Sequence, residues 1–177
     1  KEIFIDSLGR SSSVVIKILK NDGDSIEKKD MLAEISGNAE VLLKAERTIC
    51  NILSELSGIA THTRAILKLL NGSITILDTR KDDPLMRPAH QYAVRVGGGK
   101  NHRFGLGDGI LIKDNDIAVY GNVQNAISKR LETKRHLLKV EIEVSNLEEL
   151  RAVLEDGRVD GILLDNMTVE MLRLAVE

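Results

Sequence analysis

Residues 138–166 read LKVEIEVSNLEELRAVLEDGRVDGILLDN, and this stretch decides the fold. An alternating run over 138–144 predicts a strand, apolar positions at helical spacing over 147–155 predict a helix, and 159–164 (VDGILL) predicts a second strand. A strand, a crossover helix and a strand are the unit of a parallel sheet. Working toward the N-terminus, the unit recurs. Strand 109–112 (GILI) precedes a helix at 122–131, and strand 73–77 (SITIL) precedes a helix at 87–96. Pro84 and Pro88 limit where that last helix can begin. Toward the C-terminus, 168–176 predicts one more helix, with Asn166 or Thr168 able to cap it. Four strand–helix units in series predict an α/β architecture with a parallel sheet.

The chain before residue 73 reads differently. Residues 1–37 look β-rich: a strand at 14–19, a turn at Asn21-Asp22-Gly23-Asp24, and a short apolar run at 31–35 closed by Ser36-Gly37. From Asn38 the apolar residues recur at three- and four-residue steps as far as Leu70, which predicts one long amphipathic helix or two in line. Gly58, inside that run, predicts close packing or a break, and Asn71-Gly72 ends it.

Composition narrows the class. The chain has 177 residues, is 42% hydrophobic and 29% charged, and carries a formal net charge of −2. That balance gives no argument for nucleic acid or an acidic membrane. Aromatics are 2%, too few for a platform on which single-stranded bases stack. The single cysteine, Cys50, excludes an intrachain disulfide, suits a reducing cytoplasm, and is expected as a core thiol. No apolar run reaches transmembrane length. The cations are concentrated locally: Arg80, Lys81, Arg87, Arg95, Lys100, His102, Arg103 and Lys113 all fall between Leu77 and Asn115. Local focusing of that kind attracts an anionic small molecule without a basic protein overall.

Ligands of parallel α/β folds bind at the carboxyl ends of the strands. Here those ends carry Arg80 and Lys81, then Lys113 and Asp114, then Glu143, then Asp165 and Asn166. Cations come first and carboxylates last, a pattern that suits an anion together with a metal-bound phosphate. Glu141 and Glu143 share one strand face, opposite Val140, Ile142 and Val144, which predicts on the acidic side either a polar interior such as a barrel mouth or the solvated face of an edge strand. Gly97-Gly98-Gly99 is expected to let backbone approach a ligand, with His102 close behind it. His62, His90 and His136 lack partners at metal-ligand spacing and are expected to be structural or on the surface.

The stretches AERTICNILSELSGIATHTR (45–64), DTRKDDP (78–84), YAVRVGGGKNHRFGLGDGILIKDN (92–115), VEIEVSNLEEL (140–150) and DGILLDNM (160–167) together make the chain resemble the quinolinate phosphoribosyltransferases, the decarboxylating nicotinate-nucleotide pyrophosphorylases. The resemblance implies an incomplete α/β barrel of parallel strand–helix units over 45–177, preceded by the C-terminal part of an N-terminal α+β sandwich domain over 1–44. It implies phosphoribosyl transfer from phosphoribosyl pyrophosphate to quinolinate with decarboxylation, in NAD biosynthesis, with Mg²⁺ as cofactor. By motif, Arg80, His102, Arg103 and Lys113 would bind the quinolinate carboxylates, and Lys81 would lie at the quinolinate–phosphoribosyl junction. Glu143 and Asp165 would hold the ribose and, through Mg²⁺, the pyrophosphate. The resemblance makes Lys81, Lys113, Glu143 and Asp165 the catalytic set. Arg47 would reach the site of a neighbouring subunit in a homodimer or dimer-based assembly.

Three positions depart from the family pattern. Asp82-Asp83 follow the TRK motif where threonine is usual, Leu85 follows Pro84 where glycine is usual, and Asp116 follows KDN where histidine is usual. Two acids beside a dianion site weaken binding if they point inward; otherwise they face solvent or pair with Lys81 or Arg87. They also leave room for a second reading, a non-catalytic or transport-associated homologue that binds a small anion.

Overall fold

The computed structural model describes residues 2–5 and 11–177, with side chains from Val14 onward. It divides into two compact units, Lys1–His102 and Arg103–Glu177.

The first unit begins with an antiparallel sheet of β1 (Glu2–Ile5), β2 (Ser11–Ile18) and β3 (Ala33–Ser36), in the order β1-β2-β3. The expected turn lies between β2 and β3. Asn21 N–H donates to the Asp24 carboxylate at 2.8 Å, and Gly23 takes φ 91°, where a side chain is disfavoured. Helix α1 follows as one unbroken element, Ala39–Leu69. Asn38 caps it by accepting from the backbone of Glu40 and Val41. Gly58 neither breaks the helix nor serves a close contact, since an added Cβ there would meet nothing within 4 Å. Helix α2 (Arg87–Val96) begins and ends where the two prolines and Gly97 predict, and packs on α1.

The glycine triplet serves this helix pairing. A Cβ on Gly97 would lie 2.6 Å from the Ala60 carbonyl oxygen and 2.7 Å from Thr63 Cβ. One on Gly99 would lie 2.8 Å from Val94 Cγ1. The run therefore brings backbone against α1 and α2, and the expected approach to a ligand is not what fills the space around Gly97 and Gly99.

Residues 73–77 do not form the predicted strand. Leu77 alone bridges Lys100 in parallel, with Lys100 N–H donating to Ile76 O at 2.8 Å and Asp78 N–H to Lys100 O at 3.2 Å. A strand needs several consecutive partners. Among the described residues, Lys100 alone bridges this segment, and Ile74 stays exposed.

The second unit carries the parallel units: β4 (Ile110–Ile112), α3 (Asp114–Tyr120), α4 (Val123–Glu132), β5 (Val140–Val144), α5 (Leu147–Asp156), β6 (Gly161–Leu164) and α6 (Val169–Val176). The sheet is parallel in the order β4-β5-β6, with Ile112 opposite Ile142 and Glu143 opposite Leu163. Among the described residues, three parallel strands are thus present in place of four. Helix α3 has no counterpart in the expected elements. Ile112, Val140, Ile142 and Val144 of the sheet, Ile127 of α4 and Val153 of α5 are essentially fully buried in one core. Side chains alternate along a strand, so Leu111, Glu141, Glu143 and Leu163 point the other way. The chain is a mixed α/β protein: an antiparallel β region and two packed helices, then parallel β–α units. Among the described residues, no helix is long and apolar enough to cross a membrane.

Candidate functional site

In the second unit the carboxyl ends of the three strands collect the predicted groups on one face. Lys113 lies two residues beyond Leu111, and Asp165 two beyond Leu163, so both share the face of Glu143. Lys113 Nζ donates to both carboxylate oxygens of Glu143, at 2.9 Å each. Glu143 is mostly covered, at 15% side-chain exposure, while Lys113 remains about half open at 47%. A covered carboxylate is tolerable because its negative charge is paired and hydrogen-bonded. Asp165 follows β6, where its N–H donates to Val144 O at 2.9 Å and its carboxylate accepts from the Asn166 side chain at 2.9 Å. Asn166 holds a left-handed φ of 52° at this turn. Arg103 donates to the Gly109 carbonyl at 3.0 Å, which ties it to the entry of β4.

Asp116, the departure after Lys113-Asp114-Asn115, is structural. One carboxylate oxygen accepts from Lys113 N–H at 3.0 Å, and the other accepts from Arg130 Nε at 3.0 Å and from Arg130 Nη2.

In the first unit Asp78 organises the cationic loops. Its carboxylate accepts from His102 N–H at 2.8 Å and from the Asn101 side-chain amide, which also donates to Gln91 O at 2.9 Å. His102 is thereby held beside the segment that leads into Arg80 and Lys81. The side chains of Arg80 and Lys81 are exposed and make no ion pair or hydrogen bond among the described residues. Arg47 is likewise exposed, on α1. Asp78 was visible only as one charge at the end of an apolar run; its bond to a backbone amide 24 residues away has no sequence signature.

The two acids after Lys81 are engaged within their own loop. Asp82 binds Arg87, with Nε and Nη2 at 3.0 and 2.9 Å from Oδ1, and both side chains are about 15% exposed. Asp83 accepts from Leu85 N–H at 2.9 Å and shapes the turn before α2.

A model of the quinolinate phosphoribosyl transferase C-terminal domain matches residues 59–177, and one of the N-terminal domain matches residues 1–57. The chain belongs to the quinolinate phosphoribosyl transferase family. Across 155 residues it is 44% identical to a probable nicotinate-nucleotide pyrophosphorylase of Bacillus subtilis, covering 87% of this chain and 53% of that protein. A protein of the same description from Methanocaldococcus jannaschii is 43% identical over 177 residues, covering 98% of this chain and 61% of that one. The crystal structure of NadC from Streptococcus pyogenes superposes with a TM-score of 0.85 at 42% identity, covering 92% of this chain and 58% of that structure. The chain therefore spans somewhat over half the length of these relatives.

Within this member of the quinolinate phosphoribosyl transferase family, Cys50 is exposed on α1, against expectation, because α2 covers only part of that long helix. His90 is structural: its Nε2 meets Glu55 Oε1 at 2.7 Å. His62 is exposed. No group of three or more histidine, cysteine or acidic side chains able to hold a metal occurs among the described residues. Glu143 and Asp165 are two carboxylates at the ends of neighbouring strands, and Mg²⁺ is commonly bound by one or two carboxylates plus phosphates and water.

Proposed function

We propose that the whole protein transfers the phosphoribosyl group from phosphoribosyl pyrophosphate to quinolinate with decarboxylation, forming nicotinate mononucleotide, pyrophosphate and carbon dioxide in NAD biosynthesis. The observation that carries this reading is the arrangement of Lys113, Glu143 and Asp165 on one sheet face at the strand ends. Family membership supports it, as does the cationic set Arg80, Lys81, His102 and Arg103. The α/β barrel is the proposed architecture of the whole C-terminal domain. Residues 1–44 are assigned to the α+β sandwich domain and 45–177 to the barrel domain.

Quinolinate is a dianion, and cationic side chains able to donate hydrogen bonds to carboxylates recognise it. Lys113 serves one carboxylate, Arg80, His102 and Arg103 complete the recognition, and Lys81 lies toward the sugar. In the reaction the pyridine nitrogen bonds to the anomeric carbon as the bond to pyrophosphate breaks. Positive charge develops on the sugar, and a fixed carboxylate such as Glu143 stabilises it. The quaternised ring then accepts the electron pair released when the adjacent carboxylate leaves as carbon dioxide, and a proton replaces it on the ring. Asp165 takes the ribose side. Mg²⁺, when bound, neutralises the pyrophosphate charge. Arg47, exposed and unpaired among the described residues, is assigned to a neighbouring subunit's site in a homodimer. The cytoplasm is the proposed compartment.

A non-catalytic homologue drew its support from Asp82-Asp83, and both carboxylates are engaged by Arg87 and the Leu85 amide. Calorimetric titration of the whole protein with quinolinate tests the reading. Saturable binding abolished by Lys113→Ala is expected; binding untouched by that change contradicts the assignment of Lys113.

A further inference from the structure

We propose that the Arg130–Asp116 pair is a positioning device for Lys113. The proposal deepens the reading of Lys113 as a quinolinate-binding group and rests on that reading. Lys113 has two structural tasks. It is the residue after β4, and it is the N-cap of α3, with φ −118° and ψ 169°. Its ammonium has no lone pair and cannot cap a helix by accepting a bond. Asp116, at the third helical position, does the capping in its place. Its carboxylate accepts from Lys113 N–H at 3.0 Å, while its own N–H donates to Lys113 O at 2.9 Å. The Lys113 peptide groups are thus held on both sides by one residue.

Asp116 is in turn held by α4. Arg130 Nε donates to its second carboxylate oxygen at 3.0 Å, and Nη2 donates to the same oxygen. Both oxygens are occupied and the side chain is only 14% exposed, so Asp116 cannot rotate without losing both bonds. Arg130, Asp116, Lys113 and Glu143 form a continuous polar chain from α4 to β5. Helix α3 has seven residues, too few to hold its own first turn firmly. Without the pair, the backbone from which the Lys113 side chain springs would loosen, and its ammonium would leave Glu143. A fixed binding group needs such support behind it.

The test uses Asp116→Ala, Asp116→Glu, Arg130→Ala and the Ala double variant of the whole protein. Steady-state kinetics, thermal unfolding and the ¹⁵N-lysine resonance of the Lys113 ammonium are measured. Expected is a rise of roughly tenfold in KM for quinolinate in each Ala variant, the scale of a lost supporting bond to a charged group. The double variant adds little, because both changes remove the same support. KM for phosphoribosyl pyrophosphate holds, and Asp116→Glu restores the parent value. The Lys113 ammonium resonance, sheltered by its two bonds to Glu143, is lost in the Ala variants and kept in Asp116→Glu. A lower melting temperature with unchanged quinolinate KM and unchanged resonance overturns the proposal. So does an equal rise in both KM values. If the parent makes no product, the functional reading fails, and the resonance alone decides whether the pair positions Lys113.

Discussion

Asp82 and Arg87 hold each other through two N–H donors on one carboxylate oxygen, at 2.9 and 3.0 Å, with both side chains about 15% exposed. The pair closes the loop that follows Arg80 and Lys81. It also turns an acid that looked harmful to anion binding into a support for the loop presenting two cations.

Removing one partner leaves a largely covered charge unpaired, which costs more than the intact pair contributes. Arg87→Ala is expected to destabilise the protein by about 1–3 kcal/mol. Asp82→Thr together with Arg87→Ala should recover part of that loss. A urea-unfolding double-mutant cycle measures the coupling, and additive effects would mean that the pair carries no energy of its own.

The glycines of the first unit separate by environment. Gly97→Ala puts a methyl against the Ala60 carbonyl and Thr63, an overpacking that costs about 1–3 kcal/mol. Gly58→Ala meets open space inside α1 and should stabilise by up to about 1 kcal/mol through helix propensity. Thermal melts of the two variants should shift in opposite directions.

Asp160 gives the second unit an acid-sensitive contact. Its carboxylate accepts from Val140 N–H at 2.8 Å, and that bond, with Lys134 and Lys139 nearby, holds its pKa below the usual carboxylate range. A carboxyl whose folded pKa is lowered contributes stability that is fully present above the unfolded value, about 3.9 for Asp. That contribution is lost as the pH falls below about 4 and through the lower folded value. Asp160→Asn should therefore narrow the stability difference between pH 6 and pH 3, as followed by urea midpoints across that range. An unchanged pH profile in the variant would remove Asp160 from the acid response.

The Lys113–Glu143 pair predicts asymmetric losses. Lys113→Ala removes the proposed quinolinate ligand and should raise KM for quinolinate. Glu143→Gln keeps the shape, removes the charge facing the developing cation, and should lower kcat by about 10²-fold or more. Separate KM and kcat values for each variant check the division of labour, and equal effects on both parameters in both variants would deny it.

Much of the architecture was readable because local rules agree with it. Pro84, Pro88 and Gly97 bracket α2 at residues 87 and 96. The V-E-I-E-V alternation of β5 assigns its two faces without ambiguity, since Val140, Ile142 and Val144 are buried and the glutamates are not. Other features depend on partners far along the chain. Residues 73–77 have strand composition, but among the described residues Leu77 pairs with Lys100 alone. A glycine's need for space is visible in sequence, but whether ligand or helix fills that space is not; for Gly97 it is α1. Asp116 reads as an intruding acid until Arg130, fourteen residues on, is seen to bind it. Cys50 follows the helical apolar spacing, yet it is exposed on α1, and Leu43, Leu53 and Leu69 are exposed with it.

The proposed role of the Lys113–Glu143–Asp165 face is phosphoribosyl transfer to quinolinate. The most direct measurement incubates the whole protein with phosphoribosyl pyrophosphate, Mg²⁺ and quinolinate labelled in the carboxylate next to the ring nitrogen. Labelled carbon dioxide and nicotinate mononucleotide should appear in equal amounts, and Glu143→Gln should suppress both together. Absence of both products from the parent protein, or nucleotide formed without carbon dioxide, would contradict that role.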